Sequence, residues 1–363
     1  MNKGVISNLQ ICRALAAVIV VIGHSLHDLD TVAAHAGVEP VRSAVKWGAG
    51  LDIFFVVSGF IMIYVAGGDF GKPGTMWRFL AKRVARVAPL YWLVTTALIL
   101  GSFVAPSLLN VPIGGARHIL ASYLFIPDWR PDMSLVRPVM ALGWTLNYEM
   151  LFYAVFGCAM ALPLRFAVPA MTALFVGAAT AKEAFDIQQT QLAFWMDPLV
   201  LEFLFGVYIG LAYRAGLRLS APAALALGLA GFALVTTSLP ESVGIALSPN
   251  FLRYGAPAAM LVGAAALGPQ LPPVAPVRFA VALGDASYAL YLSHPFVIRP
   301  LREIWLKIGG ADLPLVAFSA VCLFAAIAVA FALHRYLEMP IARWLGGAKG
   351  RRVAVAAAPV AAP

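Results

Sequence analysis

Residues 47–67 read WGAGLDIFFVVSGFIMIYVAG, a run with one charged side chain, Asp52. An α-helix needs about 20 mostly apolar residues to cross the hydrocarbon of a bilayer, and this stretch supplies them. The pattern recurs along the chain, at 8–27, 87–105, 141–162, 166–181, 194–213, 221–238, 252–269, 280–298 and 313–335. The 363 residues are 61% hydrophobic and 12% charged, with a mean hydropathy of +0.85, where soluble domains carry about 25% charged residues. A globular core could not hide so much apolar surface. The expected fold is therefore all-α: a polytopic transmembrane helical bundle of about ten spans. Residues 1–345 form its membrane domain, and 346–363 form a basic, then Ala-, Val- and Pro-rich tail that reads as disordered.

The loops set the expected orientation. With a cytoplasmic N-terminus, fifteen Lys and Arg fall inside (Lys3, Lys72, Arg78, Lys82, Arg83, Arg86 and Arg165 among them) and ten outside, from Arg42 to Lys307. The excess satisfies the positive-inside rule, and an even number of spans puts both termini in the cytoplasm. The net charge of +9 is read the same way, with no nucleic-acid partner implied. Met1-Asn2-Lys3 followed by apolar sequence mimics a signal peptide. Arg13 inside the run and the lack of a small-x-small cleavage site make it a retained first span. Cys12, Cys158 and Cys322 lie in apolar stretches without the paired spacing of a disulfide or zinc site, so no metal site is expected.

Ionisable side chains inside a bilayer are costly and mark function by default. Arg13 and His24 are eleven residues apart, which on a helix is three turns plus about 20°, or about 16 Å along one face. A cation and an imidazole on one stripe suit an elongated ligand; a snorkelling arginine and an interfacial histidine are the plainer reading. In the orientation above, His24, Asp52, Glu149 and His294 come from four spans at similar depth, as around a polar cavity opening outward. In the loop after the second span, Arg83 and Arg86 share a helix face and suit phosphate oxygens. The same cations also fit an ordinary positive-inside flank on anionic lipid. The chain holds no Gly-rich phosphate loop, Walker motif, Gly-x-Ser-x-Gly elbow or His-Glu-x-x-His pair, which argues against an ATP-driven pump or a membrane metalloprotease.

Together these segments resemble the acyltransferase-3 family of membrane O-acyltransferases, over about residues 8 to 345. The resemblance rests on Arg13-x10-His24, on Asp52-Ile53-Phe54-Phe55-Val56-Val57-Ser58-Gly59-Phe60, and on Arg83-x-x-Arg86 with Pro89. It continues through Trp144-Thr145-Leu146 with Glu149, Ser287-Tyr288 through Tyr291-Leu292 to His294, and Glu338-x-Pro340. In style it is most similar to bacterial exopolysaccharide O-acetyltransferases of the succinoglycan type. Some members carry a soluble esterase-like domain after the last span, whereas this chain ends soon after Trp344.

The resemblance implies an acyl-CoA co-substrate, usually acetyl-CoA, and no permanently bound cofactor. It implies a glycan or lipid-linked oligosaccharide acceptor, a bacterial inner-membrane location, and membrane lipid and polysaccharide-assembly proteins as further partners. Arg83 and Arg86 would hold the donor's phosphates, with Arg13 on the donor or the oxyanion. His24 would be general base or acyl carrier, with Glu149 or Asp52 orienting it, and Asp28 one turn on as a further candidate. Trp144, Tyr288 and His294 would contact the acceptor. A glycan transporter or flippase accounts for the spans and charges equally well, and a structural subunit of an export complex is a third reading. The ordered motifs favour the enzyme.

Overall fold

The computed structural model describes residues 5–37, 39, 47–104, 111–236, 251–309 and 315–345. The expected tail 346–363 lies outside them, as do the loop residues Lys3, Arg42, Lys46, Glu241 and Asp312. The described residues are helical, with one isolated bridge, Trp129 to Val136, and no strand among them. The helices are α1 (Ser7–Ala36), α2 (Gly50–Ala66), α3 (Thr75–Val104), α4 (Ala116–Tyr123), α5 (Trp144–Ala159), α6 (Leu164–Ala184) and α7 (Thr190–Trp195). They continue as α8 (Leu201–Arg214), α9 (Ala221–Thr236), α10 (Ala256–Leu267), α11 (Ala275–Asp285), α12 (Ser287–Ser293), α13 (Pro295–Lys307) and α14 (Leu315–Leu333).

Among the described residues, six helices are long and apolar enough to cross a membrane: Ser7–His35, Trp47–Ala66, Thr75–Val104, Leu164–Ala184, Thr190–Arg214 and Val316–Leu345. Ala221–Val235 and Phe251–Leu267 are shorter apolar helices. Two of the ten expected segments take another form. Segment 141–162 becomes a 3-10 turn, Ala141–Gly143, followed by the 16 residues of α5. Segment 280–298 is broken twice. The backbone leaves the helical region at Ala286 (φ −82°, ψ 0°), and Pro295, which has no N–H to donate, opens α13.

The chain divides into two compact units. The first holds residues 1–54, 218–245 and 260–363; the second holds 55–217 and 246–259. In the first, α1 packs against α11, α13 and α14, and α12 packs against α14. Gly37 ends α1 in the left-handed conformation (φ 67°) and returns its N–H to the last carbonyls, the usual glycine stop. Asn8 lashes the start of α1 to the loop after α10: its Nδ2 donates to the Pro269 carbonyl at 3.0 Å, and its Oδ1 accepts from the Leu271 N–H at 3.1 Å.

In the second unit α5 packs on α3 and α6, and α6 on α8. Phe152 stacks on Phe203 (4.5 Å), and Phe156 meets Phe79 (5.1 Å) and Phe70 (5.2 Å). α2 and α8 approach through reciprocal glycines. A Cβ on Gly59 would strike the Phe203 carbonyl, and one on Gly206 the Val56 carbonyl. In lipid no hydrophobic drive pulls helices together, so close backbone approach between small residues carries the association. Gly59→Ala and Gly206→Ala should each cost about 1–3 kcal/mol as overpacking. Gly177→Ala, with open space where its Cβ would sit, should cost nothing. Thermal unfolding of the detergent-solubilised variants checks this; equal midpoints for all three would refute the glycine contact.

Candidate active site

The first unit brings together two histidines that stand 270 positions apart in the chain, His24 of α1 and His294 at the α12–α13 junction. Their ring centroids lie 4.8 Å apart at 61°, edge to face. His24 Nδ1 lies 2.9 Å from the Val20 carbonyl, and His294 Nδ1 lies 3.2 Å from the Leu290 carbonyl. A carbonyl oxygen only accepts, so each ring carries its proton on Nδ1 and a lone pair on Nε2. The surroundings differ: His24 is exposed, whereas His294 is wholly buried and its Nε2 has no hydrogen-bond partner. The position of His294 follows from the chain. Pro295 leaves the Tyr291 carbonyl without its helical donor and begins α13 immediately after His294. Tyr291 packs between His294 (6.3 Å) and Phe54 (6.1 Å).

One turn beyond His24, Asp28 bonds Arg302 of α13 at 2.6 Å, with both side chains largely covered; Arg302 also holds Glu303 at 2.7 Å. Asp28, a further candidate in the sequence, is thus tied into the helix packing beside His24. Nothing local in the sequence pairs it with a residue 274 positions away. Arg13 is buried on the same helix, with Nη1 donating to Gln10 Oε1 at 2.8 Å. Asp52 is buried in the first turn of α2, and Tyr288 is half-buried on α12.

The second unit assembles the remaining motif residues around Glu149 of α5. Its Oε1 accepts from Ser58 Oγ of α2 at 3.2 Å and from the Tyr153 hydroxyl one turn along α5. Arg83 of α3 lies in the field of Glu149 and hydrogen-bonds Tyr153, with its Cζ 5.8 Å from the Phe79 ring centre and its Nε buried without a partner. The arginine pair is therefore split in environment: Arg83 is turned into the polar cluster while Arg86 is exposed. Glu149-x3-Tyr153 is a helical i,i+4 pair, a signal present in the sequence but not used above. Asn147 is buried on α5 with both ends of its amide unpartnered. Glu202 of α8, an acid inside an apolar segment that the sequence reading passed over, is fully buried beside Gly255.

Trp144 opens α5 under the Arg137 guanidinium, 4.4 Å from its ring centre, and meets Tyr148 at 6.0 Å, which stacks on Phe194 at 4.3 Å. His118 anchors this loop: its Nδ1 accepts from the Gly114 N–H at 3.1 Å and its Nε2 donates to the Arg137 carbonyl at 2.9 Å. That is the opposite tautomer to the His24 and His294 rings, and with both nitrogens engaged His118 is a structural tie.

A family model described as an acyltransferase domain matches residues 6–335. The chain is 33% identical over 301 residues to the exopolysaccharide production protein ExoZ of Rhizobium meliloti (strain 1021), a match covering 81% of this chain and 89% of that protein. No solved structure matches the chain. The matched stretch contains both units' polar clusters, from Arg13 to Arg302; the chain belongs to the acyltransferase-3 family and is an acyltransferase.

Proposed function

We propose that the protein is a membrane-embedded O-acyltransferase that moves an acyl group, acetyl in the first instance, from cytoplasmic acyl-CoA to a hydroxyl of an exopolysaccharide or a lipid-linked precursor of one. The observation that carries this reading is the His24 imidazole. Its Nδ1 proton is engaged by its own helix, and its Nε2 lone pair belongs to an exposed ring, as a general base requires. The likeness to an exopolysaccharide production protein supports a glycan acceptor.

In this reading His24 Nε2 takes the hydroxyl proton as the new C–O bond forms. The thioester C–S bond breaks, and the same proton then passes to the departing thiolate. Arg86 and Arg83 hold the donor's phosphates, Arg86 as the accessible contact and Arg83 as the one braced by Tyr153 and Glu149. Arg13 supplies positive charge on the His24 face of α1, and Trp144, Tyr288 and His294 contact the acceptor. We place the chain in a bacterial inner membrane with about ten spans and both termini cytoplasmic, on the strength of the loop cations.

The test uses the full chain in nanodiscs with radiolabelled acetyl-CoA, with and without extracted polysaccharide. Wild type should label the glycan, and His24→Ala should lose about 100-fold or more, the usual worth of a positioned base, while remaining folded. Glycan labelled normally by His24→Ala would end the base assignment, and a folded wild type that neither binds nor turns over acyl-CoA would end the enzyme reading in favour of transport.

Arg86→Ala should raise the KM for acetyl-CoA about tenfold with kcat preserved, as for the loss of one charge-assisted hydrogen bond. Arg83→Ala should lower both kcat and thermal stability, because it also strips the Glu149–Tyr153 pair of its cation. Steady-state kinetics over donor concentration separate the two, and an unchanged donor KM in Arg86→Ala would remove that residue from the donor site.

A further inference from the structure

We propose that Arg299 of α13 is a catalytic residue of this reaction: its guanidinium donates to the oxyanion that forms when the acceptor hydroxyl attacks the thioester carbonyl. The proposal rests on His24 being the base, and it supplies the second group that such a transfer needs.

Attack on a thioester passes through a tetrahedral intermediate whose former carbonyl oxygen carries negative charge. A fixed donor aimed at that oxygen is usually the largest single contribution to catalysis. The donor shares one carbonyl group with the base, so it belongs at the level of His24 without having to bond the ring. Three arginines stand on α1 and α13: Arg13, Arg299 and Arg302.

Distance rules out Arg13. It lies eleven residues before His24, about 16 Å down α1, and its Nη1 donates to Gln10 Oε1 at 2.8 Å, further off still. Prior engagement rules out Arg302, which holds Asp28 at 2.6 Å and Glu303 at 2.7 Å. Arg299 is placed by the register of α13 on α1, which two contacts fix. The rings of His24 and His294 lie 4.8 Å apart between centroids, and Asp28 bonds Arg302. From the first contact to the second both helices run the same way. The residues between His294 and Arg302 therefore lie beside the turn of α1 from His24 to Asp28. Arg299 precedes Arg302 by three residues, about 4.5 Å along the axis. It shares the face of Arg302, and that face is turned to α1. Arg299 is half-buried and lies in the electrostatic field of His24. A guanidinium suits the task, being planar, always charged and rich in N–H donors.

The step balances. The hydroxyl oxygen bonds the carbonyl carbon, its proton goes to His24 Nε2, and the C=O π pair moves onto oxygen, where the Arg299 N–H groups meet it. When the pair returns, C–S breaks and the thiolate takes the proton from His24. Arg299 keeps its own protons throughout. Arg13 is then left to the donor rather than to the oxyanion.

The test runs wild type, Arg299→Gln, Arg299→Lys and His24→Ala side by side, as full chains in nanodiscs. It reads glycan labelling from radiolabelled acetyl-CoA and, without acceptor, the release of CoA by water. Attack by water passes through the same oxyanion. Arg299→Gln should therefore lose about 100- to 1,000-fold in kcat for both reactions, the usual worth of one oxyanion donor, with both KM values unchanged. Arg299→Lys keeps the charge without the planar fork and should lose about tenfold, as for one charge-assisted hydrogen bond. A wild-type kcat in Arg299→Gln overturns the proposal. So does a loss confined to the KM for glycan with CoA release intact, which makes Arg299 an acceptor contact.

Should the thermal midpoint show Arg299→Gln unfolded, Arg299→Lys decides by the same readouts: a fall in both rates supports the proposal and a wild-type kcat overturns it. Failure of the underlying reading shows elsewhere. A wild type without turnover ends the enzyme reading, and full turnover by His24→Ala ends the base assignment, whatever the Arg299 variants do.

Discussion

In hydrocarbon no water competes for a hydrogen bond and none replaces a missing one. A polar side chain carried into an apolar helix must therefore meet its partner inside the protein or leave the lipid. Glu149 shows the first solution: two hydroxyls from two helices close on one carboxylate oxygen, and a guanidinium lies in its field. Asp28 and Arg302 show the same solution between α1 and α13. The Ser58–Glu149 and Asp28–Arg302 bonds each join helices far apart in the chain, so satisfying the polar groups and packing the bundle are one constraint.

The same constraint marks the groups that escape it. Where a buried polar atom has no partner, the fold has left a bonding site open, and His294 Nε2, Arg83 Nε and the Asn147 amide are such atoms. Arg83 and Asn147 belong to the segments that carried the family resemblance, as does His294. Elsewhere His118 uses both ring nitrogens and Ser122 joins the His118 carbonyl to the Val139 N–H, whereas Thr95, Trp195 and Ser319 each also leave a buried polar atom unpartnered.

Helical periodicity made Arg13 and His24 legible in advance, because their spacing lies within α1 and needs no tertiary knowledge. The break at His294 was foreshadowed by Pro295, whereas nothing in the reading of 141–162 foreshadowed the 3-10 turn before Trp144. Contacts across the chain were beyond reach. No local rule pairs His24 with His294, or Asp28 with Arg302, since either match is decided by which helices pack together. The split between Arg83 and Arg86 was hidden for a related reason. Three residues apart on α3, they look equivalent until α5 is set beside one of them. Tyr153 and Glu202 were readable as polar groups in apolar segments, and the intramembrane-charge argument extends to both.

The two imidazoles are alike in chemistry and opposite in exposure, and this asymmetry bears on mechanism. His24 is exposed, while His294 is fully buried beside Tyr291. Of the two, His24 is therefore the ring placed to take the hydroxyl proton in the proposed reaction.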